Sequence, residues 1–328
     1  MRKFITRRLL QSIIILFFVS FIIYGIMRCM PTSYVETQAR QLSTLPGAKS
    51  YDEWMTQLNA SYGLDVGVVQ GFGKWVSKAI VGDFGDSWVW TVPVTKKFAD
   101  VIWYSFALGA IAFVLEIVIA IPLGILSARK QYSKTDYAVT VFALVGISIP
   151  SFFLATLLKW IFSVKLGWFD LFGVVGRMHE QLSPFGQFLD IAQHFILPTI
   201  TLTVINVGSL MRYTRTNMLE VLNSDFIRTA RAKGLSESKV VNYHAFRNTL
   251  IPIVTLLGGS LPSLFAGAMI TETIFQIPGI GYTSYQCMIK GDIPFTMFYM
   301  VFMAFLTLAG TIIADVLYAV VDPRVRIN

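Results

Sequence analysis

Six long apolar runs, separated by shorter polar and basic segments, constrain this chain more than any other feature. They are Leu9 to Met27, Val101 to Ser127, Tyr137 to Val164, Phe195 to Met211, Thr249 to Thr271 and Phe295 to Val321. A bilayer core of about 30 Å takes roughly 20 apolar residues in helix to cross, so each run is long enough to span one. Composition agrees: 55% of residues are hydrophobic and 14% charged, against about 25% charged in a soluble domain. The predicted fold class is all-α integral membrane with six transmembrane helices.

Lysine and arginine in the gaps set the orientation, because positive loops stay cytoplasmic. Arg2, Lys3, Arg7 and Arg8 precede the first run, and Arg129, Lys130 and Lys134 follow the second. Arg212, Arg215, Arg228, Arg231, Lys233, Lys239 and Arg247 follow the fourth, and Arg324 and Arg326 follow the sixth. Between the third and fourth, Lys165 and Arg177 are offset by Asp170, Glu180 and Asp190. Both termini are therefore predicted to be cytoplasmic. The net charge of +8 reads as this topology signal, and no base-reading motif accompanies it, so no nucleic-acid partner is expected. The first run exceeds a signal-peptide core and no small-residue cleavage site follows it; it reads as a retained anchor, and Arg28 ahead of Cys29 argues against a lipoprotein signal. The chain divides into residues 1–27 (cytoplasmic N-terminus and first span), 28–100 (external) and 101–328 (a membrane domain of five spans).

In the external segment, Trp54, Leu58, Trp75, Ile80 and Phe84 suggest short amphipathic helices lying on the membrane or the bundle. A second external piece, Lys165 to His194, has no clear periodicity, and no element is assigned to it. Pro122, Pro150, Pro198, Pro252, Pro262 and Pro278 lie inside or beside spans. Each bends its helix, and as a set they suggest hinges around a pathway, although membrane helices also tolerate single prolines.

The segment from Asn223 to Pro252 is polar, basic and broken by Gly234. Asn223 or Ser224 caps a short helix, Asp225 suits its positive first turn, and Gly234 ends it in the left-handed conformation. Ser236-Glu237 starts a second helix through Val240, Val241 and Tyr243. Phe226 and Ala230 share a face at i,i+4, and Arg228 and Arg231 share another at i,i+3. That pattern predicts an apolar knob rimmed by positive charge, which the small residues Ala230, Ala232 and Gly234 open to a partner surface. A loop that merely keeps its charges inside is the plainer alternative.

The wording of this segment, Thr229 to Leu235 followed by His244 to Asn248 and Pro252, resembles the cytoplasmic loop of binding-protein-dependent ABC permeases, in particular the first-permease type of the peptide, dipeptide and nickel importer family. The resemblance runs nearly end to end. It includes Gly82 to Ser87, Ile121 to Ile125, Ile149 to Phe153, Phe162 to Trp168 and His194 to Pro198. It continues through Glu272 to Phe275, Pro278 to Gly281, Asp315 to Tyr318 and Asp322 to Arg324. Departures are Arg228-Thr229-Ala230 where the general motif has Glu-Ala-Ala, Met30 to Ser33 in place of Pro-Gly-Asp-Pro, and a longer external segment. The resemblance implies a type I ABC importer permease fold with a coupling loop over about residues 212–248. In it Phe226, Arg228, Thr229, Ala230, Arg231, Ala232, Lys233, Gly234 and Leu235 dock on a separate ATPase. It also implies a second homologous permease, two ATP-binding subunits that hold ATP and Mg, an external substrate-binding protein, and a bacterial cytoplasmic membrane. Spans two to five would surround the pathway, with span one peripheral, and peptides are the implied cargo.

Ionisable residues inside spans are functional candidates because lipid makes them costly. Glu116 sits at mid-span, either lining the pathway or bonding across helices. Pro150 and Glu272 are further pathway candidates. Asp315 reads as a structural ion-pair partner for Arg324 or a neighbouring helix, and Lys159 as snorkelling outward. Cys29 and Cys287 allow one bridge or two spectator thiols. His179, His194 and His244 read as scattered across both sides, with no carboxylate cluster, so no metal site is expected. Gly67 to Trp75 fails as a phosphate-binding loop, since Trp75 replaces the hydroxyl residue. No hydrolytic motif is present, and the chain is not expected to be an enzyme. The competing class is a self-contained secondary transporter or channel, in which Glu116 would be an ion site.

Overall fold

The computed structural model describes residues 2–29 and 34–321. These are helical apart from turns, irregular connections such as residues 166–178, and one isolated bridge between Asp86 and Pro93. Five helical stretches are long and apolar enough to cross a membrane. They are α1 (Arg2–Cys29), α5 (Val94–Arg129), α8 (Pro184–Leu222), the run Glu237–Phe265, and α14 (Ile293–Val321). A sixth exists if the pair α6 (Lys134–Ser148) and α7 (Ser151–Lys159, extended by a π-turn over Trp160–Lys165) counts as one span.

That pair covers the third predicted span, and its halves meet at 98°, far sharper than a kinked helix. Pro150 is the cause. Its ring disfavours α geometry at the residue before it, and Ile149 is extended at φ −77°, ψ 123°.

The fifth span is also redrawn. α10 (Glu237–Lys239) runs through a π-turn (Val240–Ala245) into α11 (Phe246–Ser260) and a 3-10 turn (Leu261–Phe265), so the second helix of the loop and the span are one rod. It stops at Phe265, short of the expected Thr271, because Gly267 turns the chain with φ +80°. Two short helices follow, α12 (Met269–Phe275) and α13 (Ile280–Ile289), divided by the left-handed Gln276 and by Pro278. α8 is far longer than its apolar run because Ser183 accepts a bond from Gly186 N and Pro184 opens the helix well before the apolar stretch.

α5 packs along α8, α6 also lies on α8, and α11 and α1 lie on α14. Lipid provides little hydrophobic drive between helices, so close approach at small residues holds them together. A Cβ added to Gly208 of α8 would sit 2.5 Å from the Ala143 carbonyl of α6, and one on Gly124 of α5 2.7 Å from Thr214. Thirty-six residues make α5 about 54 Å long, and buried clusters mark its length. Val94, Val101, Ile280 and Phe295 lie at one end, Leu108, Ala155, Phe195 and Phe275 at the middle, Ala120, Ala143, Leu210 and Ile253 beyond it, and Ala128, Met218, Ile227 and Val240 at the other end.

The segment before α5 folds as α2 (Tyr34–Ser43), α3 (Tyr51–Ser61) and α4 (Val68–Ala79). Phe72 of α4 packs on Phe17, Phe21 and Tyr24 of α1, and Arg28 donates 2.8 Å bonds to the Leu64 and Val66 carbonyls. Phe84 meets Phe298 of α14. Ile80 departs from the expected apolar face: it caps α4 and is 78% exposed. Ser87 Oγ and the Val89 and Phe295 amides all donate to the buried carboxylate of Asp292, which staples the Gly82 to Ser87 stretch onto the start of α14. The motif residues Met30 to Ser33 and Asp322 to Arg324, and Arg326, lie outside the described residues.

Candidate functional site

The basic segment forms an elbow. α9 (Asp225–Ala232) starts after Ser224, and Gly234 closes it with φ +77°. Its eight residues bury Ile227 and Ala230 against Met218 of α8 and Val240, Val241 and Ala245 of the rod behind it. This corrects the expected knob. Phe226 and Ala230 do not share an outward face: Ala230 points inward, and Phe226, 47% exposed, stands out alone. The charged rim changes as well. Arg231 makes a two-pronged bond to Glu237 at 2.8 and 3.1 Å, which closes the elbow across Gly234 and takes Arg231 out of the free positive surface. Arg228 pairs only loosely with Asp225 at 3.5 Å, with both side chains strongly exposed. Thr229, Ala232, Lys233 and Gly234 are exposed, and Leu235 is half-buried.

At the elbow end of the bundle, the buried Asp136 of α6 accepts bidentate bonds of 2.9 Å from Arg215 of α8. It also accepts from Ser127 Oγ of α5 and, at 2.9 Å, from the Tyr132 amide. One carboxylate thus ties three spans together just beside α9. In the sequence, Arg215 is marked only as a topology charge. The one local signal was Ser133 three residues before Asp136, a helix-capping spacing that the structure uses.

Mid-bundle, a cavity of about 300 Å³ opens between α5, α8, the fifth span and the turn after it. Its polar lining is Ser105, Glu116, Asn206, Ser260 and Ser263. Glu116 is half-buried and is the one carboxylate among the lining residues. Glu272 lies behind the wall, fully buried. Its Oε1 accepts from Ser105 Oγ (2.7 Å) and Ala268 N (2.9 Å), and its Oε2 from Tyr282 N (2.9 Å). Ser105 Oγ in turn accepts from Ile280 N at 2.7 Å. These bonds brace the break between the fifth span, α12 and α13, so the geometry gives Glu272 a scaffolding place. Pro150 sits at the α6–α7 bend and does not line this cavity.

A model of the family described as "binding-protein-dependent transport system inner membrane component" matches residues 120–327. The chain belongs to that family. Among its curated relatives, the oligopeptide transport system permease protein AppB of Bacillus subtilis is 36% identical, over 99% of this chain and 100% of the relative. The oligopeptide permease OppB of Haemophilus influenzae is 32% identical over 99% and 100%, and the dipeptide permease DppB of Escherichia coli 33% over 99% and 99%. In fold, the chain matches a chain of the methionine ABC transporter MetNI in inward-facing conformations. That match has a TM-score of 0.50 at 16% identity and covers 67% of this chain and 96% of the other.

Other residues of this inner membrane component take places that its sequence alone did not disclose. Lys159 does not snorkel freely: its Nζ donates to the Ile274 carbonyl at 2.7 Å and lies 3.6 Å from the centre of the Phe172 ring. Asp315, by contrast, takes a partner on a neighbouring helix as expected: on α14 it pairs with Arg8 of α1 at 3.2 Å. Cys29 is exposed, Cys287 is buried, and both are unbridged; burial and the neighbouring Asp292 push the Cys287 thiol far up, which makes it a poor nucleophile. Finally, the histidines are not all scattered. His179 and His194 converge with Asp170 and Asp190 where the chain enters α8, a grouping that spacing did not reveal because Asp170 is supplied by an irregular segment.

Proposed function

We propose that this chain is the peptide-carrying permease subunit of an ATP-driven importer in a bacterial cytoplasmic membrane. It lines half of the translocation pathway and hydrolyses no ATP itself. End-to-end similarity to oligopeptide and dipeptide permeases carries the reading. The partners are a second permease, two ATP-binding subunits holding ATP and Mg, and an external binding protein. Both termini face the cytoplasm, with the elbow on the same side.

The elbow geometry supports the coupling step. A ligand-driven shift needs contacts that differ between two states, and here ATP clamped between the two ATPases supplies the difference. Closing of the ATPases pulls α9 through its exposed Phe226, Arg228 and Lys233. Ile227, Ala230 and the Arg231–Glu237 bond make α9 rigid with the rod that begins at Glu237. The rod reaches the cavity through Leu256 and Ser260, so motion at the elbow alters the cavity wall as a rigid-body transfer. Within the cavity, the Glu116 carboxylate suits a cationic group such as a peptide ammonium.

Reconstitution tests this reading. Proteoliposomes holding this chain, its partner permease and the ATPases should take up labelled peptide only with ATP and binding protein present. Uptake by this chain alone, driven by an ion gradient, would instead establish the secondary-transporter class.

A further inference from the structure

We propose that the loop following α7 and the first turns of α8 bind a divalent metal ion of the zinc class through His194 Nε2, a carboxylate oxygen of Asp170 and Asp190 Oδ1. The site is independent of the transport reading above. The His194 side chain is only 3% exposed, and its Nδ1 lies 2.7 Å from the Asp190 carbonyl oxygen. A carbonyl only accepts, so Nδ1 carries a proton and Nε2 is the ring nitrogen left to face Asp170. That nitrogen is buried, has no hydrogen-bond partner, and faces Asp170 Oδ2 at 3.3 Å. A nitrogen and a carboxylate oxygen held this close need a proton or a metal ion between them. Two ligand atoms, each about 2.0–2.1 Å from a tetrahedral ion, are separated by roughly this distance.

Three more observations agree. The ligand atoms of Asp170, Asp190 and His194 lie within 4.8 Å of one another. Asp190 Oδ2 is already engaged by His179 Nδ1 (2.6 Å) and the Gly176 amide (2.9 Å), which orients the carboxylate as outer partners of metal ligands do, while Oδ1 has only a long 3.5 Å contact to His194 Nδ1. Gly176 itself keeps the space open: a Cβ there would sit 2.9 Å from Asp190 Oδ1 and 3.4 Å from Asp170 Oδ2. One imidazole with two carboxylates suits zinc better than calcium or magnesium, which favour all-oxygen shells. Three protein ligands leave a fourth position for water or an incoming donor group. The ion would pin the loop to α8 beside α12, to which Gly173 N already bonds through the Phe275 carbonyl at 2.9 Å.

The test is a titration of the chelator-stripped full-length chain in detergent with Zn²⁺ and, for its visible spectrum, Co²⁺. One ion per chain is expected, with the Co²⁺ absorption of a low-coordinate N/O site. His194→Gln and Asp170→Asn should each weaken binding at least about ten-fold, and His179→Gln about ten-fold, while His244→Gln leaves it unchanged. The Asp170 side chain is 64% exposed, so Asp170→Asn reports on the ion without threatening the fold. Wild-type affinity in Asp170→Asn, or no tight equivalent in wild type, would overturn the site and leave a proton between His194 and Asp170.

Discussion

At the scale of single residues, the clearest energetic statement concerns Asp136. It is 3% exposed and holds Arg215 in two 2.9 Å bonds. Removing one partner of a buried pair leaves the other charge uncompensated, at a cost of about 3–5 kcal/mol. Asp136→Asn should therefore lower the thermal unfolding temperature of the purified chain markedly, and an unchanged melt would show that the pair is not needed to hold α5, α6 and α8 together. The Asp136–Arg215 bond was not legible in the sequence because its partners are 79 residues apart. The same holds for Ser105–Glu272, 167 apart, and Ser87–Asp292, 205 apart. Local pattern identifies a polar residue near a span, whereas its partner is chosen by which helices touch.

At the scale of elements, the elbow separates what neighbouring residues dictate from what packing dictates. The start at Asp225 falls where expected, but the Ser224 side chain donates back to the Val221 carbonyl instead of capping α9. The stop at Gly234 was legible, because left-handed geometry is a local preference. The buried face was not: Phe226 and Ile227 are adjacent and both apolar, and only the position of Met218 and Val240 decides that Ile227 turns inward. The two positions should respond oppositely. Ile227→Ala removes a fully buried side chain, costs about 2–5 kcal/mol, and should make α9 exchange its amides faster. Phe226→Ala should leave exchange untouched yet weaken ATPase association. Equal exchange rates in the two variants would refute the face assignment. The spans follow the same division. Their apolar runs and a bend at Pro150 were legible, but the 98° size of that bend and the stop at Gly267 were not, since a proline or glycine in a membrane helix is tolerated or disruptive according to what its neighbours supply.

In the whole molecule, a rod from Glu237 to Phe265 joins a cavity at mid-bundle to an elbow at the rod's end. In the proposed coupling, the elbow is the handle by which an ATPase moves the bundle. Gly234→Glu isolates that claim, because nothing lies within 4 Å of the position where a Cβ would be added. The chain itself thus has room for the side chain, and local strain from its positive φ is of the order of 1–2 kcal/mol. The decisive measurement is a pull-down of the tagged chain from its native membrane, wild type against Gly234→Glu, with partners identified by mass spectrometry. The account predicts an ATPase and a second permease with wild type, and loss of the ATPase alone in the variant. A chain that comes down without an ATPase in both cases would contradict it.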